Sequence, residues 1–182
     1  DRRFYAQAKD AGTGLVMGTQ TWRADRDRGE LLGYSGAEQE QANRGAVALQ
    51  EAARASETDL QLLISGCLGQ RSDDCAVDEL MSVEQAHDYH AAQIRVLANL
   101  EADMLCALAL SYPEEAIGIA LAAGHAHMPL AIGLTLQADG PLPVGLPLRH
   151  VTAPPDAHPA GYPLFSLIHS AHPRSSPPAA AP

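Results

Sequence analysis

Lysine is all but absent from this sequence: Lys9 stands alone beside 11 arginines in 182 residues. Basic residues total 12 against 22 acidic ones, a formal charge of −10, and they form no run anywhere. A surface for nucleic acid or for an anionic membrane needs clustered Lys and Arg to neutralise phosphates, so the composition argues against both partners. Aromatic residues are few, at 4%. Cysteine is scarce too. Cys67, Cys75 and Cys106 are odd in number and lack framework spacing, which argues against a disulfide scaffold and for a reducing, cytoplasmic setting. No apolar run approaches the ~20 residues of a membrane-spanning helix. The opening residues, Asp1-Arg2-Arg3-Phe4-Tyr5, lack the apolar core of a secretory signal. They also lack an initiator Met, so the expectation is a start inside a longer reading frame.

What is present is globular: 46% apolar and 19% charged residues, enough for one domain with a sizeable core. Composition shifts near residue 140, because 11 of the 13 prolines lie from Pro141 onward. Upstream of that point strands and helices alternate. Leu15 to Gly18 is a short strand, followed by a helix over Glu38 to Ala55. Leu60 to Ser65 reads as a strand buried on both faces. Ser82 and Gln85 fit a capping box, and Val83, Ala86, His90, Ile94 and Leu97 then recur at helical spacing. Ala102 to Leu110 is the next strand. Pro113, Glu114 and Glu115 open a further helix, with Gly124 as its expected C-terminal cap. Pro129 to Gln137 and Leu164 to Ile168 complete the strands. The pattern predicts a parallel sheet of about five βα units, either an open doubly wound sheet or part of a (βα)8 barrel. Pro154, Pro155, Pro159 and Pro163 break the segment 150–163, and 174–182 reads as a disordered Pro/Ala/Ser tail.

Both architectures place chemistry at the carboxyl ends of the strands. That rule selects Thr19 to Arg23, Ser65 to Arg71, Ser111 and Tyr112, Gln137 to Gly140, and His169 to Pro173. His169 and His172 have metal-binding chemistry, weighed against two loop histidines with too few further ligands. His125 and His127 follow a helix C-terminus at the opposite end and read as structural. His90, one turn from His87, reads as hydrogen-bonded and half-buried. Cys67, flanked by Gly66 and Gly69, reads as accessible at a strand end. A three-thiolate site from Cys67, Cys75 and Cys106 is weighed against Cys106 as mid-strand core. Ser65-Gly66-Cys67-Leu68-Gly69 lacks a full phosphate-binding pattern, and no G-x-S-x-G elbow occurs.

Several collinear stretches carry a resemblance: Thr21-Trp22-Arg23-Ala24, Leu32-Gly33-Tyr34, Ser65-Gly66-Cys67 with Gly69 and Arg71, and Asp78-Glu79-Leu80-Met81-Ser82. Tyr89-His90-Ala91-Ala92-Gln93-Ile94, Glu114-Glu115-Ala116-Ile117-Gly118-Ile119, Asp139-Gly140 with Leu142-Pro143, and Ala171-His172-Pro173 follow. In this order they resemble the homocysteine S-methyltransferase family. The resemblance implies a partial (βα)8 TIM barrel over 1–173, lacking the first strand and the last strands, whose unpaired edges favour self-association. It implies methyl transfer to the thiol of homocysteine, giving methionine, from S-methylmethionine or S-adenosylmethionine. Zinc held by three cysteines keeps that thiol deprotonated in the family. By family position Trp22, Cys67, Gln137 and Asp139 bind substrate. Three departures stand out. Ser170 occupies the first zinc-ligand position, and the family's Gly-Gly-Cys-Cys segment has no counterpart. Gln137 replaces a family glutamate. The resemblance therefore implies a chain inactive alone, or alternatively a non-catalytic barrel relic or interaction module.

Overall fold

The computed structural model describes residues 2–71, 80–137 and 140–148, together with the backbone of 165–169. In chain order the elements are α1 (Arg2–Asp10), β1 (Leu15–Gly18), α2 (Arg26–Leu31), α3 (Gly36–Ser56), β2 (Leu62–Gly69), α4 (Val83–Ala98), β3 (Met104–Leu110), α5 (Pro113–His125), β4 (Leu130–Thr135) and β5 (Phe165–His169). The described strands form one parallel sheet in the order β1-β2-β3-β4-β5. A doubly wound sheet reverses its order partway, whereas a barrel lays each new strand beside the last. The unbroken order decides between the two architectures. This is an α/β fold with a parallel half-barrel sheet, consistent with a partial (βα)8 barrel. The proline-rich break at 150–163 and the tail at 174–182 lie outside the described residues.

Local chemistry explains most element boundaries. At the start of α4 the Ser82 hydroxyl accepts from Gln85 N at 3.2 Å, and the Gln85 side chain accepts from Ser82 N at 2.8 Å. Pro113 begins α5, where its missing N–H has no partner to lose. Helix α3 outruns the expected 38–55 because Ser35 and Glu38 form a second capping box. Helices α1 and α2 were not expected from the pattern. Nine and six residues are too few to establish a helical period.

Two expectations are corrected. Strand β2 continues past Ser65 to Gly69, so Gly66 and Cys67 are strand residues rather than a turn. A Cβ on Gly66 would sit 3.0 Å from both Leu105 Cδ2 and Leu97 Cδ1, so the glycine serves close packing against the helix layer. Gly124 lies inside α5, and the left-handed position after the helix is taken by His127, at φ 55°.

Strand register separates the two faces of the sheet. Gly66 pairs with Leu105 and Leu68 with Ala107, and these residues point toward α4 and α5. There Leu68, Leu105, Ala107, Ile132 and Leu134 are buried with Ile94, Leu97 and Ile119. A second cluster joins Tyr5 and Ala8 of α1 to Met17, Leu62 and Ile64. The alternate residues, Val16, Leu63, Ser65, Cys67, Met104 and Cys106, face the concave side, which is the bore of a barrel. Part of this bore is open: Val16 is 52% and Leu63 41% exposed.

Helices α4 and α5 meet most closely at Gly118. A Cβ there would lie 2.5 Å from Ala86 Cβ and 2.7 Å from both His87 N and Val83 O. Alanine has about 1 kcal/mol better helix propensity than glycine. Overpacking costs about 1–3 kcal/mol, toward the upper end when the neighbours are backbone atoms. Gly118→Ala is therefore expected to lower stability by about 1–2 kcal/mol net, seen as a lower urea midpoint. A higher midpoint would show that α5 shifts without cost.

Candidate functional site

The end of β1 is joined to β2 by two threonine hydroxyls. Cys67 N donates to Thr19 Oγ1 at 2.9 Å, and Thr21 Oγ1 donates to Cys67 O at 2.6 Å. The two hydroxyls lie 2.7 Å apart. A hydroxyl has one proton. Thr21 gives its proton to the Cys67 carbonyl, so the bond between the threonines runs from Thr19 to Thr21. The result is a closed ring from the Cys67 N–H through both hydroxyls to the Cys67 C=O. Both threonines are buried, as this complete satisfaction requires.

The loop that follows is anchored from outside the sheet. Gln93 Nε2 of α4 donates to Thr21 O at 3.0 Å and to Asn43 Oδ1 of α3 at 3.0 Å. Asn43 Nδ2 in turn donates to Ala24 O at 3.1 Å. Asp25 caps α2 while buried, accepting from Arg28 N at 3.1 Å, the Arg28 guanidinium at 2.7 Å and Tyr89 OH at 2.9 Å. Burial, then the charge of Asp25, pushes the Tyr89 phenol far above its ordinary range, so it remains a donor. Arg28 also donates to Arg71 O at 3.2 Å, which ties α2 to the end of β2.

Glu115 anchors the end of β2 from the other side. It lies in the first turn of α5, where the helix dipole favours a carboxylate, yet it is 0% exposed. Its Oε1 accepts from Arg71 N at 2.8 Å and from His90 Nε2 at 2.9 Å. Burial, then the Glu115 charge, raises the neighbouring Tyr112 phenol far above its usual range. His90 is 1% exposed, so the expectation of a half-buried residue is corrected.

Trp22 closes the wall. A Cβ on Gly69 would strike the Trp22 carbonyl and lie 2.8 Å from the indole Cδ1 and Nε1, so Trp22 rests directly on β2. The Arg23 guanidinium covers the ring at 4.2 Å. Among the described residues, Trp22 Nε1, Ser65 Oγ, Gln70 Oε1 and Glu115 Oε2 are buried without a hydrogen-bond partner. All four gather along β2 and the loops at its carboxyl end, the end that carries chemistry in a barrel. Unpaired buried polar atoms are costly.

The expected site residues divide. Trp22 lies on Gly69, two residues beyond Cys67 in β2, but Cys67 is only 8% exposed, inside the strand rather than accessible at its end. Burial pushes its thiol up to about 11. Cys106 is mid-strand as expected, though half-buried. Gln137 follows β4 and donates to Pro143 O at 3.4 Å, within its own loop. His87 and His90 diverge: His87 Nε2 lies 3.0 Å from His125 Nδ1, while His90 serves Glu115. Cys75, Asp139, Ser170, His172 and the His169 side chain lie outside the described residues. Thr19, Asp25, Gln70 and Gln93 were not foreseen in these roles.

A family model described as homocysteine S-methyltransferase matches residues 2–178. The fold is similar to that of the homocysteine methyltransferase MmuM from Escherichia coli. In the metallated form the TM-score is 0.74 at 22% identity, covering 92% of this chain and 61% of that one. The oxidized form gives 0.73 at 21% identity and the apo form 0.67 at 22%, each covering 92% and 60%. The chain thus spans about three fifths of the length of the solved structures it matches. No curated protein matches it significantly.

Two outcomes are expected from this geometry. Thr21→Val keeps the shape but leaves the Cys67 carbonyl and the Thr19 hydroxyl unpaired, at a cost of about 2 kcal/mol. In a double-mutant cycle with Thr19→Val the combined loss should be less than the sum, because the ring is broken only once. Strict additivity would mean the ring is not a unit. The Cys67 thiol, held protonated to about pH 11, should be alkylated slowly near neutral pH and faster as pH rises toward that value. Its raised folded-state value also means that stability falls as pH climbs from the unfolded thiol's value toward about 11. Rapid labelling of Cys67 near neutrality would contradict this.

Proposed function

This chain belongs to the homocysteine S-methyltransferase family, and on that footing we propose that it forms the homocysteine-binding part of a barrel that methylates the homocysteine thiol. The observation that carries the proposal is the Trp22–Gly69 contact beside four unpartnered buried polar atoms, at the strand ends where a barrel holds its substrate. Trp22 and the buried face of Cys67 line the site and exclude water. By family position Gln137 and Asp139 bind the substrate, Gln137 with an amide oxygen in place of a glutamate's charge while its Nε2 donates to Pro143 O. The donor is a sulfonium compound, S-methylmethionine or S-adenosylmethionine. A strand before β1 and strands after β5 would complete the barrel.

In this family zinc keeps the acceptor sulfur a thiolate when bound. Among the described residues no three His, Cys, Asp or Glu side chains group as a metal site. Those residues do not fit the zinc, and Ser170 at the first ligand position offers a hydroxyl in place of a thiolate. The chain by itself is proposed to bind substrate without turnover. His169 and His172 are the remaining candidates for metal chemistry. The exposed bore residues Val16 and Leu63 favour a second reading, a non-catalytic module that associates through this face and its unpaired edge.

Trp22 is the sole tryptophan, which makes the test direct. Titration with L-homocysteine should give a saturable change in indole fluorescence that L-alanine does not give. Incubation with homocysteine, S-methylmethionine and zinc should yield no methionine. The absence of any fluorescence response at millimolar homocysteine would overturn the binding role. Methionine formed in proportion to added chain would overturn its inactivity alone.

A further inference from the structure

On the bore face of the sheet, Ser65 is in register with Met104 and Cys67 with Cys106. These four side chains form a two-by-two patch, about 4.8 Å across neighbouring strands and about 6.6 Å along them. All four point away from the helices, since the intervening Gly66 and Leu105 meet one another and Leu97 on the helix side. Both cysteines are free thiols; burial, then the neighbouring Cys106, raises the Cys67 thiol, and burial raises that of Cys106. The Ser65 hydroxyl is 2% exposed and has no hydrogen-bond partner. Cys106 is half-buried, so the patch opens to the bore.

We propose that Cys67 and Cys106, supported by Met104, form a binding site for a soft monovalent d10 cation such as Cu(I). Two metal–sulfur bonds of about 2.3 Å laid end to end span about 4.6 Å, close to the strand spacing. A disulfide instead needs Cβ atoms about 3.5–4.5 Å apart, which would pinch in-register strands together. Two thiolates and a thioether are the donors that select Cu(I) over harder ions. Binding breaks two S–H bonds, forms two thiolate–metal bonds with the neutral Met104 thioether as a third, weaker donor, and releases two protons to solvent; the metal's oxidation state does not change. The Ser65 hydroxyl, two residues from Cys67 on the same face, gains an acceptor in the new thiolate. The patch shares Ser65 and Cys67 with the proposed substrate site, but metal uptake by the two thiols requires neither homocysteine nor methyl transfer, so a Cu(I) titration and a homocysteine titration succeed or fail separately.

The test is an anaerobic Cu(I) titration of the purified chain against a chromophoric chelator, followed by counting of thiols reactive with Ellman's reagent. The expected result is one Cu(I) per chain, with two of the three cysteines protected. Cys67→Ala and Cys106→Ser should each weaken binding more than about a hundredfold, beyond the 10–100-fold typical of residues outside the ligand shell. Cys75→Ala should bind as the parent does. Circular dichroism checks that each variant is folded, and Cys106→Ser, on the open face, serves if Cys67→Ala is not. No stoichiometric uptake, uptake unaffected by Cys106→Ser, or an equal dependence on Cys75 would overturn the proposal.

Discussion

The closed ring of hydrogen bonds through Thr19, Thr21 and the Cys67 peptide decides where the chain after β1 stands against β2. The regular ladder between β1 and β2 reaches its last pairing at Gly18 and Ser65, and Thr19 N then donates to Ser65 O. Beyond that point hydroxyls replace backbone groups as partners for β2. The chain is thereby free to turn away from the sheet while remaining bonded to it. The turn lays Trp22 on Gly69, a contact no larger residue at that position would permit. Without the ring, the Cys67 N–H and C=O would be buried and unpaired, and the wall would have no fixed register against β2.

The same logic extends outward through two buried carboxylates. Asp25 and Glu115 each sit at a helix N-terminus, on α2 and α5, where dipole and exposed N–H groups favour negative charge. Each then reaches across to fix a neighbouring loop. Asp25 gathers Arg28 and Tyr89; Glu115 gathers the Arg71 peptide and His90. Removing one partner from such a group would leave a buried charge without compensation, far costlier than the net worth of the bond. Residues 21–25 after β1 and Gln70 and Arg71 after β2 are therefore tied to the helices around them. The one oxygen left over, Glu115 Oε2, joins Trp22 Nε1, Ser65 Oγ and Gln70 Oε1 in lacking a partner. Satisfaction is nearly complete behind the wall and incomplete at it, which separates scaffold from site.

What the sequence made legible follows from how far each signal reaches. The capping box of Ser82 and Gln85 spans three residues, and Pro113 acts within its own turn; both are as expected. The apolar runs of β3 and β4 announce buried strands, and strand–helix alternation announces a parallel sheet. Gly66 misled because a glycine after an apolar run has the same appearance whether it ends a strand or admits Leu97 and Leu105. Reading it as an end made Cys67 accessible, when it lies inside β2. Glu115 was legible as a dipole-stabilised acid but not as a buried one, since its partners Arg71 and His90 stand 44 and 25 positions away. Gln93 and Thr21 are 72 apart. No periodicity encodes such pairings. The family resemblance named Trp22, Cys67, Gln137 and Asp139; the ring ties the segment before Trp22 to the Cys67 peptide.

The open bore and the unfinished wall are linked by geometry. Val16 and Leu63 face the same side of the sheet as Ser65 and Cys67, one pleat nearer the amino ends of the strands. Burying an aliphatic side chain of this size is worth about 1.5–3 kcal/mol over leaving it exposed, and these two are already about half covered. Whatever covers the bore thus gains a few kcal/mol of hydrophobic stabilisation at its lower end. At the upper end it would bring new groups near the orphaned polar atoms. Completion of the core and completion of the site become one event, driven from the apolar end and made specific at the polar one. Asp25, Glu115 and the threonine ring hold residues 19–25 and Arg71 at that end by bonds that draw on nothing from the bore.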